Sequence, residues 1–281
     1  MLGQRLYKYL EKSGFHVFTC GRNENDDIQY DLKDFAIPHI PSELKADIIF
    51  HCAATFDDDS LSGCIHNEKV NALSSYPVGE LASIVGCKHL IYAGSIFSCF
   101  FLHPGSMTSY GASKLRGEDI LEWSLSRNNI AFTSLRFPQL YDEHGECCKH
   151  QPWLGRIIAY AYAGQNLRIP TGNAKQNFMH VDDALRLMYA AMEKATTGRL
   201  ITTHFESITY EQVAQQAFDI FNNKGTYELA SEKKPFREIF IPESSKSFKL
   251  LDYWPKILMQ DGLEMIKLSG SPQKFGPMDV T

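Results

Sequence analysis

The sequence predicts an α/β domain built on a parallel sheet. Two runs, "ADIIFHCAA" and "CKHLIYAGS", are almost continuously apolar, as strands covered on both faces are. Helical patterns separate such runs, and the alternation of strand and helix implies right-handed crossovers between parallel neighbours. The chain opens on "MLGQRLYKYLEKSGFHVFTCGR", where Leu2, Leu6, Tyr9 and Leu10 fall at helical spacing, Gly14 is a stop, and "FHVFTC" reads as a strand. A polar stretch from Asn23 to Asp27 follows, then "IQYDLKDF", a short strand ending in a turn. After "ADIIFHCAA", the segment from Glu68 to Val85 is helical in pattern and leads to the strand in "CKHLIYAGS". Tyr110 to Asn128 reads as a long helix, followed by "AFTSLRFP" as a strand. Beyond Glu143 the order is less regular: Pro152 to Gly164 is helical, "NLRIP" a short strand, Asp182 to Lys194 a helix and "RLITTHF" a strand. Thr209 with Gln212 makes a capping box ahead of "YEQVAQQAFDIF". The C-terminal stretch mixes Pro, Ser and Lys with short apolar pieces, as a small second lobe would.

Composition narrows the function classes. With 281 residues the chain is long enough to bury a sizeable core. A charged fraction of 22% and a net charge of −5 give no basic surface for nucleic acid. No apolar run approaches the roughly 18 residues that span a membrane, and the N-terminus lacks the order of a signal peptide. The seven cysteines form no CxxC, and only Cys147 and Cys148 are adjacent. A reduced, cytoplasmic protein fits better than a disulfide framework or a zinc site, and no metal site is expected.

The strongest chemical signal is "SYGASKLRGEDILEW", which holds Tyr110 and Lys114. A spacing of four on a helix puts both side chains on one face. A free Tyr has a pKa of about 10, and a nearby cation favours its phenolate. That pair suits a group that exchanges a proton with a carbonyl or an alcohol; an ordinary helix start with an exposed Lys is the plain alternative. Upstream, Ser95 stands where a buried strand runs out, at the carboxyl edge where open α/β sheets hold ligands. It could donate to the same substrate oxygen, with Ser98 a rival for the role and a simple turn cap the alternative.

In chain order stand "MLGQRLYKYL", "YDLKDF", "IIFHCAA", "LIYAGS", "YGASK", "SLRFPQLY" and "NFMHVDDALRLM". Over most of its length the sequence resembles an extended short-chain dehydrogenase/reductase of the NAD-dependent epimerase/dehydratase family, which acts on nucleotide sugars. The resemblance implies a Rossmann-like doubly wound sheet with a dinucleotide across its carboxyl edge. Residues 1–150, rejoined by 174–205, would form the dinucleotide-binding domain, and 151–173 with 206–281 the substrate-binding lobe. It implies Tyr110 as catalytic acid/base, Lys114 binding the nicotinamide ribose and lowering the Tyr pKa, and Ser95 polarising the substrate. Gly3 matches the last glycine of the phosphate-binding turn, Asp31 and Leu32 the pair beside the adenine, and Ala53 and Ala54 the small residues along the cofactor path. Pro138 and Gln139 fall where the chain passes the nicotinamide and the substrate phosphates, and Ser95, Ile96, Gln139, Arg168 and Gln176 make up the implied substrate set. His180 and Asp183 belong to the late motif, in a structural role.

Cofactor choice turns on the end of "FHVFTCGRNEN", where an acidic residue suits NAD and a basic one accommodates the extra phosphate of NADP. Arg22 favours NADP, with NAD the alternative and an exposed loop Arg the plain one. The family's 4,6-dehydratases follow the active-site Ser or Thr with Asp-Glu; here Ile96 and Phe97 stand there, and neither transfers a proton. Dehydration and decarboxylation therefore recede. The chain's length resembles that of the 4-keto-reductases, which reduce 4-keto-6-deoxy sugar nucleotides for surface polysaccharides such as lipopolysaccharide. A 4-epimerase with tightly bound NAD is the alternative, and a non-catalytic dinucleotide-binding regulator the second; a homodimer is compatible with any of them. Departures include the short, apolar "FSCFFLHPG" loop and Gln176 in place of an Arg that grips the diphosphate, leaving Arg168, Lys175 or Arg156 for the phosphates. The family's chain also begins with a central strand and a glycine-rich turn. Here the strand and the first two glycines are absent, so the native protein is expected to start roughly a dozen residues earlier; a naturally shortened, weakly binding protein is the rival.

Overall fold

The first helix, α1 (Leu2–Lys12), buries Leu2, Leu6 and Leu10 as their spacing predicts. In this computed structural model, which describes residues 1–102 and 107–278, the chain then runs extended from Phe15 to Thr19. A ladder forms only at β1 (Cys20–Gly21), parallel to β2 (Ile28–Gln29). The strand expected over "FHVFTC" is thus reduced to its end, because extended backbone becomes a strand only by pairing. Thr19 accepts from the Ile28 N–H at 3.0 Å at the foot of β2, but among the described residues no strand lies beside 16–18 to complete a ladder.

From there the chain follows the predicted alternation. β3 (Ile48–His51) leads through α2 (Leu61–Asn67), a π-helical stretch Glu68–Leu73 and α3 (Ser75–Ile84) to β4 (His89–Ser95). The helical rod begins seven residues before the expected Glu68, since the Ser60 hydroxyl accepts from the Gly63 N–H at 3.2 Å and caps it. A 3-10 stretch Ile96–Leu102 follows β4; positions 103–105 of "FSCFFLHPG" lie outside the described residues. Next come α4 (Ser109–Ser126), β5 (Ala131–Phe137), β6 (Gln139–Tyr141), α5 (Pro152–Ala163), β7 (Leu167–Pro170), β8 (Lys175–Gln176) and β9 (Phe178–His180). The chain continues with α6 (Val181–Glu193), β10 (Gly198–Ile201), β11 (Ile208–Thr209), α7 (Tyr210–Phe221), β12 (Tyr227–Ala230), α8 (Ser245–Leu251) and α9 (Met259–Leu268). No helix among the described residues is long and apolar enough to cross a membrane.

The main sheet is parallel, in the order β10-β5-β4-β3. Side chains along β4 alternate: Leu90 and Tyr92 pack with Val78, Leu81, Leu121 and Leu125 of α3 and α4, while Ile91 packs with Leu6, Leu10 and Leu187 of α1 and α6. Three layers result, helices on both faces of a parallel sheet. Burial on both faces holds for β4 but not for β3, whose Ile48, Ile49 and Phe50 are only half-buried because β4 flanks it on one side alone. The β1–β2 pair stands apart from this sheet.

A third apolar cluster joins α5, α7 and α9 with β7 and Tyr141. The capping box at Thr209 and Gln212 forms as read from the sequence. The parallel pair β6–β9 lies between this cluster and the sheet. Arg5 ties the layers together, its guanidinium pairing with Glu143 after β6 and with Asp182 at the start of α6. Phe248 and Leu251 of α8 pack on the α1–α6 side of the sheet.

Candidate active site

β4 ends at Ser95, on the carboxyl edge of the sheet, and Ser95 is buried there. Its Oγ accepts from the Phe97 N–H at 3.2 Å, which turns the chain out of the strand. α4 returns to the same edge, capped by Thr108, whose hydroxyl accepts from the Gly111 N–H at 3.0 Å. Gly111 permits the approach: a Cβ there would lie 2.3 Å from the Phe97 carbonyl oxygen. Tyr110 is thereby brought to Ser95, which acts on its phenol. Burial pushes the Tyr110 hydroxyl up to about 12, against the pull of Ser95.

Lys114, one turn further, is buried and turned toward the sheet. Its Nζ donates to the Ala93 carbonyl at 2.8 Å and sits 3.9 Å from the centre of the Tyr92 ring. Burial pulls its pKa down to about 7, opposed by Glu118 and Cys52. Sequence reasoning expected Lys114 to lower the Tyr110 pKa. In the structure the ammonium meets Ala93 and Tyr92, and burial is the larger influence on the phenol. One more turn along α4, the buried Glu118 accepts from Ser134 at 2.6 Å and pairs with Arg136. Tyr110, Lys114 and Glu118 thus share one helix face.

Beside Phe56 and Phe97, the rings that neighbour Tyr110, opens a cavity of about 240 Å³. Phe56, Phe97 and Thr108 line it from the sheet side; Gln139, Gln176, Tyr210, Phe236, Arg237 and Ile239 line the rest. The Phe56 ring lies 4.6 Å from that of Tyr110 and 5.7 Å from that of His150, and Phe97 lies 6.4 Å from Tyr110. Gln139 donates to Gln151 at 3.1 Å and Gln176 to the Arg237 carbonyl at 3.2 Å. Ile96 is buried behind Ser95. Arg168 is not brought to this cavity: it pairs with Glu228 at 2.6 Å and Glu232 at 2.8 Å beside the β7–β12 pair. Lys175 is exposed, and Arg156 stacks on Trp153 at 4.6 Å. Sequence reasoning missed Phe56, Tyr210, Phe236, Arg237 and Ile239. Tyr210 reads as a helix-start core residue, and the others sit in irregular segments whose pattern carries no periodic signal.

Of the residues expected along a dinucleotide, Ala53 and Ala54 follow the end of β3 and Pro138 that of β5, at the carboxyl edge of the main sheet, while Arg22, Asp31 and Leu32 follow the separate β1–β2 pair. Gly3 is exposed in the first turn of α1, which has no side-chain cap, and Ala53 and Ala54 are exposed just after β3. Arg22 is exposed after β1, Asp31 and Leu32 are half-buried after β2, and Pro138 is buried between β5 and β6. An uncapped helix start beside small, open residues suits a dinucleotide phosphate. His180 caps α6, accepting from the Asp182 N–H at 3.2 Å, and Asp183 accepts from Tyr253 and from the Lys256 and Ile257 N–H groups. Both are structural, as expected.

A model of the NAD dependent epimerase/dehydratase family matches residues 1–202. Among curated proteins, methionine adenosyltransferase 2 subunit beta of Rattus norvegicus is 28% identical over 155 residues, 51% of this chain and 45% of that protein. The chain thus spans about half the length of the curated relatives it matches. UDP-glucose 4-epimerase of Thermotoga maritima, solved with UDP-glucose, superposes with a TM-score of 0.73 at 17% identity, over 95% of this chain and 94% of that one. The Bordetella bronchiseptica enzyme WbmG, in complex with NAD and UDP, gives 0.75 at 15%, over 100% and 96%. At these identities the likeness to the solved structures is one of fold.

Proposed function

The chain belongs to the NAD-dependent epimerase/dehydratase family, and on that premise we propose that it is an NADP(H)-dependent reductase of a 4-keto-6-deoxy nucleotide sugar. One observation carries the reading: the Tyr110 ring, beside Ser95, lies 4.6 Å from Phe56 and 6.4 Å from Phe97, both of which line the cavity, and burial keeps its phenol protonated. With a pKa of about 12 the phenol is a proton donor throughout the neutral range, as reduction of a carbonyl requires. Ser95 holds the carbonyl oxygen, Tyr110 delivers its proton, and the Phe56 and Phe97 rings keep water from the phenol. The bound nicotinamide supplies the hydride; Gly3, Arg22, Asp31, Leu32, Ala53, Ala54 and Pro138 hold the dinucleotide. Residues 151–173 and 206–281 take the sugar nucleotide, with Gln139, Gln176 and Arg237 at its polar end. Ile96 and Phe97 leave no acid or base for elimination of water.

A second reading, a dinucleotide-binding regulatory subunit, is favoured by the inward turn of Lys114 and by the curated relative's name as a subunit of an adenosyltransferase. A third reading is an epimerase that keeps its cofactor; the Thermotoga maritima neighbour is named a UDP-glucose 4-epimerase. Incubation with NADPH and a panel of 4-keto sugar nucleotides separates them. Oxidation of NADPH is the expected result; interconversion of sugars without net oxidation identifies an epimerase, and binding with neither identifies the regulator.

A further inference from the structure

Among the described residues, Gln139 Oε1 is the one buried side-chain polar atom on the cavity wall with no hydrogen-bond partner. The Nε2 of the same amide is engaged, donating to Gln151 Oε1 at 3.1 Å. The other amide on the wall, Gln176, donates to the Arg237 carbonyl at 3.2 Å, and the Arg237 guanidinium donates to the Met107 carbonyl at 3.4 Å. A buried acceptor without a donor is a standing cost, which a ligand's donor removes.

Tyr210 stands beside this atom. The capping box at Thr209 and Gln212 fixes where α7 begins, and the Tyr210 ring then packs 4.3 Å from Phe236 and 5.9 Å from Phe178, the ladder partner of Gln139. Burial pushes the Tyr210 hydroxyl up to about 12, against the pull of Gln139, so it stays protonated. An acceptor and a donor thus line the same cavity. A hydroxyl satisfies both at one atom, whereas a phosphate oxygen or a ketone only accepts. Gln139 also stands two residues beyond Phe137, the ladder partner of Ser95. At the ordinary rise of extended chain that is about 7 Å past the group that holds the carbonyl, the span of a sugar ring.

Resting on the sugar-nucleotide reading above, we infer that Gln139 and Tyr210 together recognise one ring hydroxyl of the substrate, at C2 or C3: it donates to the Gln139 amide oxygen and accepts from the Tyr210 phenol.

UDP-glucose, its 2-deoxy and 3-deoxy analogues, UDP alone and the dTDP counterparts serve as probes, with affinities for the full chain read by calorimetry. One of the two deoxy sugars should bind about tenfold or more weaker than its parent. Gln139→Met should weaken the parent by a similar factor, leave the bare nucleotide within about threefold, and bring the ratio of parent to deoxy sugar below about threefold. Tyr210→Phe keeps the ring on Phe236 and Phe178 and should also shrink that ratio. A purely structural role would weaken parent and analogue alike and leave the ratio in place. Losses below about tenfold for both deoxy sugars overturn the proposal, as do a ratio that survives both substitutions and a failure of every sugar to bind. A tenfold loss of bare UDP in Gln139→Met overturns it too, since Gln139 would then serve the phosphates. NADPH oxidation tests the reductase reading apart from this: oxidation without discrimination overturns the hydroxyl alone, and discrimination without oxidation overturns the reductase alone.

Discussion

Tyr110 is the residue on which the chemistry turns. Replacing it by Phe removes the proton while keeping the ring that packs on Phe56, so the fold and dinucleotide affinity should survive. Turnover of a 4-keto sugar nucleotide should fall by about 10²-fold or more. Lys114 gives a pH dependence. Its folded pKa of about 7 lies below the ordinary 10.5, so between those values the unfolded chain binds more protons than the native one. Stability should therefore rise with pH through that window, and calorimetric melting from about pH 7 upward checks it; Lys114→Met should flatten the rise. Arg22 tests cofactor choice. If it meets the extra phosphate, Arg22→Ala should weaken NADPH by tenfold or more, a charge-assisted bond of about 1.5–3 kcal/mol, and leave NADH nearly unchanged in fluorescence titration. Tyr110, Lys114 and Ser95 were legible because spacing on a helix and position at a strand end are properties of sequence. The inward turn of Lys114 was not, since it depends on Tyr92 and Ala93, which a different strand supplies.

Close contact between helices explains why α4 can carry so much. Gly117 faces the π-helical stretch, and a Cβ there would stand 2.1 Å from the Asn71 carbonyl oxygen. Gly117→Ala gains about 1 kcal/mol of intrinsic helix preference but forces backbone apart. Overpacking should win, with a net loss of about 1–3 kcal/mol in denaturant melts and loosened hydrogen bonds between Asn71 and Thr55. β4, β5, α4, α5 and α7 were readable from apolar runs and caps. The early start of α2 hung on Ser60, a cap with no apolar periodicity after it to announce a helix, since Leu61 and Ile65 are exposed. The loss of "FHVFTC" as a strand was unreadable from its own alternation, which describes side chains and not the presence of a neighbour.

At the scale of the whole molecule, three layers with a capping lobe put Ser95, Tyr110 and the cavity at one end of the sheet, as the order of elements implied. The sheet is in two pieces, however, and β3 and residues 16–18 present backbone groups that no described strand satisfies. Phe15 at 42% and Phe18 at 37% exposure sit on that margin, with Ile48 and Phe50 half-buried nearby. Open, apolar sheet margins template pairing between molecules, and the usual protections are charge, proline or a bulge. In the extended run only His16 could carry charge, and it pairs ring to ring with Phe18 at 4.4 Å. Concentrated solutions of the chain should therefore scatter light increasingly with protein concentration and time. Phe18→Lys, a charge set into that margin at an exposed position, should suppress the scattering without touching Tyr110, so that colloidal behaviour and catalysis come apart in one variant.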